Sequence, residues 1–139
     1  MGGIAVLFTL VYLAIQIRQN TKMMRAAAHH SANHLGVDIN LALGTDQQIA
    51  GVLLAGSADP KTLDAEQQLM FHLIMRSIFS GAEDFFIQSR EGLLDLDMWQ
   101  SRKHSMTQYL LQPGIRGWWD QNQALFSADF VQELSHDEG

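Results

Sequence analysis

The chain has 139 residues, enough for one compact domain or for a short anchor followed by a domain of roughly 100 residues. It contains no cysteine, which excludes disulfides, thiolate metal sites and a thiol nucleophile. The net charge is −6, with three cations and no acid in residues 1–37 but six cations and fifteen acids in residues 38–139. Because an acidic body repels phosphate backbones, the sequence disfavours nucleic-acid binding.

The first predicted element is an apolar helix over residues 1–17, which carries no charge. Thr9 and Gln16 are its only plainly polar side chains, a composition typical of a membrane anchor. As a helix, residues 2–17 would extend about 24 Å, less than the roughly 30 Å hydrocarbon core of a bilayer. We therefore expect an anchor that is shortened at its N-terminus, followed by a helical domain over residues 18–139.

Two alternatives to a transmembrane anchor remain open for this apolar segment. A signal peptide is disfavoured because no cation precedes the apolar run and no convincing cleavage site follows it. A buried central helix of a soluble bundle is the stronger rival, although the segment lacks the polar stripe of a helix at the edge of a soluble domain.

Three cations, Arg18, Lys22 and Arg25, follow the apolar run directly. Cations at this position mark the cytoplasmic side of a bilayer and interact with anionic lipid headgroups. We therefore predict that these three residues lie at the membrane interface, that membrane lipid is a partner, and that the C-terminal body is cytoplasmic.

The segment Val11–Thr21, with the sequence VYLAIQIRQNT, resembles the juxtamembrane signature of a group of small, uncharacterised bacterial proteins. In that group an N-terminal transmembrane helix ends in a similar Gln-Ile-Arg-Gln-Asn-Thr run. The resemblance implies a single-pass protein of the bacterial cytoplasmic membrane. It implies no activity, cofactor or catalytic residue.

Helical spacing of apolar residues continues over residues 18–43, so one long helix is predicted to leave the membrane unbroken. Gly44 is expected to end it, and Thr45 to cap a short second helix. The segment Gly56–Pro60 is expected to form a loop.

Thr62 is predicted to cap the core helix, which should run to about Arg90 and end at Gly92. Asp97 is expected to cap the next helix, and Pro113 to break it. Two short helices are predicted over residues 115–125 and 127–134, the second capped by Ser127. No segment shows the alternation of a strand, so the predicted fold class is all-α, with a long N-terminal helix continuing into a small bundle.

A possible metal site consists of His30, His34 and Asp38, which are spaced four residues apart and would share one face of a helix. The alternatives are a solvated polar face and a pH-sensitive patch near lipid headgroups. The intervening glutamate of a His-Glu-x-x-His zinc site is absent. The solvated face is the simpler interpretation.

His72 and the pair Glu83 and Asp84 share the predicted core helix, but they are about three turns apart. A satisfied core histidine, with carboxylates paired to Arg76 or Arg102, is the favoured interpretation over an acid–base pair. Elsewhere in the chain, Trp118 and Trp119 could anchor a partner or a lipid interface, or could close the hydrophobic core.

Sequence motifs for nucleophilic catalysis, phosphate binding and di-iron carboxylate sites are absent. We therefore predict a membrane-anchored, non-enzymatic interaction or scaffolding module without a cofactor, acting as a homo-oligomer or with an unidentified protein partner. The alternative is a soluble or peripheral helical bundle that binds a small apolar ligand or a metal ion.

Overall fold

In a computed structural model of the chain, the backbone is described for residues 2–136, and the side chains for the same residues except 32–37, 39, 42 and 43. This part of the chain forms six α-helices, two short 3-10 turns and no strand, which confirms the predicted all-α class. The helices are α1 (Gly2–Thr45), α2 (Gln47–Ala58), α3 (Ala65–Arg90), α4 (Leu96–Tyr109), α5 (Pro113–Asn122) and α6 (Ala128–Ser135).

Helix α1 has 44 residues and is therefore about 66 Å long. Its backbone is continuous, as the spacing of apolar residues predicted. The first buried side chain along it is Ala28, and its C-terminal part contacts α2 and α3. The long N-terminal helix thus leads into the bundle and contributes one of its packed elements.

The junction between α1 and α2 lies one residue later than predicted. Thr45 is the last residue of α1, and its hydroxyl donates back to the carbonyl of Leu41. Asp46 is the N-cap of α2 and accepts the backbone N–H groups of Gln48 and Ile49 at 2.9 and 3.3 Å. The predicted Thr45 cap is wrong because its hydroxyl is used within α1, while the neighbouring carboxylate is at least as good an acceptor.

Asp64, and not Thr62, caps the core helix α3. Its carboxylate accepts the N–H of Gln67 at 2.9 Å, and the Gln67 side chain accepts the N–H of Asp64 at 3.1 Å, which completes a capping box. Thr62 belongs to a preceding 3-10 turn, Pro60–Thr62. This turn follows directly on α2, which extends to Ala58 and so occupies part of the predicted loop.

Gly92 ends α3 as predicted, with a positive φ of 73°. The N–H of Gly92 donates to the carbonyl of Ser89, and that of Leu93 to the carbonyl of Gln88. This is the Schellman arrangement, which requires a left-handed residue at the position of Gly92.

Helices α4 and α5 each begin two residues upstream of their predicted starts. Asp95 is the N-cap of α4, where Asp97 was predicted. Asp97 lies in the first turn, where its negative charge interacts favourably with the positive end of the helix dipole. Pro113 is the first residue of α5, where its fixed φ suits a helix start. Ser127 is the N-cap of α6, as predicted.

The core lies around α3 and is rich in aromatic rings. Phe79 has no exposed surface and stacks on Trp119 at a centroid distance of 4.6 Å. Phe86 and Trp99 extend the cluster towards α6, where Phe130 is also fully buried. Since one continuous cluster joins α3 to α4, α5 and α6, the helices after α2 pack as a single bundle.

Candidate functional site

The N-terminal part of α1 is an exposed apolar surface. Every side chain from residue 2 to residue 27 is exposed, except Gln16, which is half-buried. Phe8, for example, is 72% exposed. The alternative in which this segment is the buried centre of its own bundle is therefore wrong, because no helix in the described part of the chain covers it.

Within the described part of the chain, one segment is long and apolar enough to cross a membrane, Gly2–Ser31, and its most apolar stretch is not buried at all. A signal sequence near an N-terminus meets the same criteria of length and composition. Of the three alternatives for this segment, a membrane anchor and a signal sequence therefore remain.

The predicted interface cations lie on the same helix, immediately after the apolar segment. Arg18, Lys22 and Arg25 are all exposed. Because they are four and three residues apart, they project from one face of α1. The helix does not break between the apolar segment and these cations. The apolar surface and the positive charge thus form one rigid element.

The proposed metal site is only partly covered by the structure. His30 and Asp38 are exposed, while the side chain of His34 lies outside the described residues. Among the side chains that are described, no group of three or more histidines or carboxylates could hold a metal ion. The site at His30, His34 and Asp38 stays a prediction from sequence.

Trp118 and Trp119 lie in the core. They are 7% and 2% exposed, and both rings stack on Phe79. The indole N–H of Trp118 donates to Nδ1 of His72 at 3.0 Å. His72 is therefore a half-buried histidine whose ring nitrogen satisfies a buried donor.

The two adjacent carboxylates of α3 do not form the predicted ion pairs. Glu83 instead accepts the backbone N–H of Ser127 at 2.7 Å, which ties α3 to the start of α6. Burial, and to a lesser degree the neighbouring charge of Glu83, raises the pKa of Asp84 above its ordinary value. In the described part of the chain, neither Arg76 nor Arg102 is within ion-pair distance of these carboxylates.

An open-sided cavity of about 760 Å³ lies between α2, α3, α4 and α5, beside the end of α1. Its inner wall consists of core side chains, and its rim includes exposed apolar and polar groups. The inner wall contains Leu53, Met75, Ile78, Phe79 and Ile115, and the rim contains Leu54, Arg102 and Tyr109. Its size is within the range of pockets that hold small molecules.

Arg102 is the one charged side chain among the described residues that line this cavity. It is half-buried, and its guanidinium lies over the ring of Phe85, 4.6 Å from the ring centroid. Phe85 is not among the residues that line this cavity; it lines a smaller pocket to which Arg102 and Asp97 also contribute. Arg102 therefore brings one positive charge to the part of the cavity lining that the structure describes.

Comparisons of the chain with protein-family models, with curated proteins and with solved structures found no match. The resemblance of the juxtamembrane segment thus remains a prediction. Functional inference for this chain depends on its own geometry.

The sequence suggested a small apolar ligand between the helices as an alternative function, but it indicated neither the position of the cavity nor the place of Arg102 in it. The cavity forms where five helices meet, and its lining residues are spread from Asn40 to Ile115. The spacing of residues within one helix does not indicate a cavity that several helices form together. The unusual number of methionine and phenylalanine residues, seven of each, was the only available signal.

Proposed function

We propose that the protein is a single-pass, membrane-anchored helical module. The N-terminal part of α1 crosses the bilayer, and the bundle of α2 to α6, packed on the C-terminal part of α1, acts as an interaction or scaffolding unit. One observation carries this proposal: the apolar segment of α1 is uncovered along its whole length.

The apolar side chains of α1 are more stable in a hydrocarbon core than in water. Ten large apolar side chains between residues 4 and 17 are exposed: Ile4, Val6, Leu7, Phe8, Leu10, Val11, Tyr12, Leu13, Ile15 and Ile17. Removing each from water is worth about 1.5–3 kcal/mol. The bundle does not supply this burial, whereas a hydrocarbon core does.

Residues 2–17 alone are too short to span a bilayer, but α1 continues beyond them without a break. The helix runs on beyond Arg18, so residues 2–21 provide about 30 Å with Arg18 as the only charged side chain. A long cationic side chain near a membrane interface extends towards the headgroups while its aliphatic part stays in the apolar region. Arg18 can therefore lie at the inner edge of the span.

The charge distribution supports an orientation. Because cations are retained on the cytoplasmic side, Arg18, Lys22 and Arg25 favour a cytoplasmic bundle and an N-terminus on the opposite side. Together with the resemblance of Val11–Thr21, this favours the bacterial cytoplasmic membrane as the location. In this orientation the acidic bundle lies beyond Arg18, Lys22 and Arg25, away from the anionic headgroups.

Membrane insertion is tested by extraction with alkaline carbonate. The full chain should stay in the membrane pellet, and the double variant Leu7→Lys/Val11→Lys should move to the supernatant, since each charge in a membrane centre costs about 3 kcal/mol. The matched control, Met23→Lys/Met24→Lys, adds the same charge after the basic cluster and should stay in the pellet. Recovery of the unaltered chain in the supernatant would contradict the proposal.

Mass spectrometry of the membrane-bound protein distinguishes an anchor from a signal sequence. An anchor is retained, so the measured mass should equal that of the chain with its apolar segment. A mature form that has lost this segment would show that it is a cleaved signal.

Orientation can be tested by cysteine labelling because the chain has no cysteine of its own. A membrane-impermeant maleimide applied to intact cells should label a cysteine added ahead of Met1, outside the proposed span, and should label Gln100→Cys, on α4, only after lysis. Gln100 is exposed. Reversed labelling would overturn the orientation.

The cavity favours a second function, the binding of a small apolar ligand between the helices. The supporting observation is that the partly buried apolar side chains of Leu53 and Ile78 line the cavity. Native mass spectrometry of the purified chain should detect a bound small molecule. The variant Ala50→Trp, which fills the cavity from α2, should not retain it.

A further inference from the structure

We propose that the cavity binds a single-chain anionic amphiphile, whose oxyanion head pairs with Arg102 and whose aliphatic chain lies against Leu53 and Ile78. This inference rests on the second proposed function, ligand binding in the cavity, and is independent of the membrane anchor. It assigns the chemical class of the ligand.

The inner part of the cavity suits an aliphatic chain. Its wall is formed by Leu53, Met75, Ile78, Phe79 and Ile115, none of which has a polar side chain. Leu53 and Ile78 are only partly buried, so both present apolar surface to the cavity. A small, strongly polar ligand would lose its hydration there without replacement hydrogen bonds.

Nearby serines do not alter this character. The hydroxyl of Ser57 donates to the carbonyl of Leu53 at 2.6 Å, and that of Ser105 donates to the carbonyl of Ser101 at 3.2 Å. Each donor is thus satisfied within its own helix. Asn40, Tyr109 and Gln112 add uncharged polar groups to the lining, and Arg102 is its one charged side chain among the described residues.

Arg102 determines the sign of the ligand charge. In the described part of the chain no carboxylate lies within 4 Å of its guanidinium, although the protein carries fifteen acidic residues. A half-buried guanidinium has lost part of its hydration, which an oxyanion with two acceptor oxygens can replace. The contact with the Phe85 ring leaves the positive charge of the guanidinium in place.

The arrangement of these groups sets the polarity of the bound molecule. Apolar side chains and the half-buried Arg102 line the same cavity. A ligand with one charged end and one aliphatic end matches this combination. Carboxylate and phosphate heads share the required chemistry.

The test uses the full chain in small phosphatidylcholine vesicles, with dodecanoate, dodecyl phosphate and 1-dodecanol as probes. Tryptophan fluorescence reports binding, because Trp118 and Trp119 stack on Phe79 in the cavity wall. We expect a saturable change with at least one anionic probe, and about tenfold weaker binding of the neutral 1-dodecanol. Comparison of dodecanoate with dodecyl phosphate identifies the preferred head.

Arg102→Gln should weaken binding of the anionic probe about tenfold and leave 1-dodecanol binding unchanged. Arg102→Lys keeps the charge and should retain part of the affinity, which separates loss of charge from loss of fold. The matched control is Arg76→Gln, an exposed arginine of α3 that does not line the cavity, and it should bind as the unaltered chain does.

Two outcomes overturn the inference, and they have different consequences. If 1-dodecanol and the anionic probes bind equally, or if Arg102→Gln binds dodecanoate and dodecyl phosphate as tightly as the unaltered chain, the anionic class is wrong while ligand binding stands. If no probe gives a saturable change, or if Ala50→Trp responds like the unaltered chain, ligand binding in the cavity is wrong as well.

Discussion

Gly114, near the start of α5, lies directly against the backbone carbonyl of Gly56 in α2, so that no β-carbon fits between the two helices. A β-carbon on Gly56 would in turn overlap the ring of Phe71 from α3. Both glycines are buried. Three helices therefore meet at a point where only hydrogen can occupy the side-chain position.

We expect Gly114→Ala to lower the free energy of unfolding by about 3 kcal/mol, because the new methyl group would force α5 away from α2. Gly117→Ala, in the same helix, is the matched control. A β-carbon at Gly117 meets no atom within 4 Å, so this change should be neutral or should stabilise by up to about 1 kcal/mol. Urea unfolding followed by circular dichroism measures both, and equal stability of the two variants would contradict the packing described.

The buried charge of Lys103 gives a second prediction. Its ammonium lies 3.3 Å from Oε1 of Glu133, which also accepts the indole N–H of Trp99 at 3.0 Å. Glu133→Ala removes both interactions and should cost about 2–3 kcal/mol, while Glu133→Gln keeps an acceptor and should cost less. Arg90→Gln, which removes the exposed pair with Asp129, should cost at most about 1 kcal/mol.

This comparison of ion pairs is made by thermal unfolding of the three variants under identical conditions. A cost for Arg90→Gln equal to that for Glu133→Ala would show that burial does not strengthen the α4–α6 contact.

The hydrogen bond between Trp118 and His72 gives a third prediction. His72→Ala leaves the indole N–H of Trp118 without its acceptor and should lower the free energy of unfolding by about 1–2 kcal/mol. His104→Ala, at an exposed position of α4, should have little effect. Chemical denaturation checks the difference, and two variants of equal stability would rule out a stabilising role for the bond.

The raised pKa of Asp84 gives a pH-dependent prediction. A carboxyl whose pKa is higher in the folded state than in the unfolded state binds its proton more tightly when folded, so its ionisation destabilises the fold. This contribution is absent below the unfolded pKa and develops as the pH rises through the folded pKa. Asp84→Asn removes it.

As the pH rises from acidic to neutral, Asp84→Asn should therefore become more stable relative to the unaltered chain. Unfolding measured across this range tests the prediction, and a constant or falling difference would contradict it. The effect should be small because Asp84 is largely exposed and solvent screens its charge.

Residue type identified some helix ends correctly from the sequence and others incorrectly. Gly92 was found from its residue type, because a left-handed helix end strongly favours glycine. The caps predicted at Thr45, Thr62 and Asp97 were wrong because the N-cap is in each case an aspartate within two residues, namely Asp46, Asp64 or Asp95. The side chains of Asp46 and Asp64 accept backbone N–H groups, whereas that of Asp95 makes no capping hydrogen bond. Sequence alone does not rank such neighbouring acceptors, since the choice depends on which residue leaves the helical conformation first.

By itself, the sequence determined the all-α class, the continuous first helix and the apolar segment followed by cations, since each depends on residues within a few turns of one helix. Only the tertiary structure decided that this segment is uncovered, that Trp118 and Trp119 are buried, and that Gly56 meets Gly114. It also placed Arg102 at the edge of a cavity. These features depend on helices far apart in the chain, and packing in three dimensions leaves no periodic trace in any one of them.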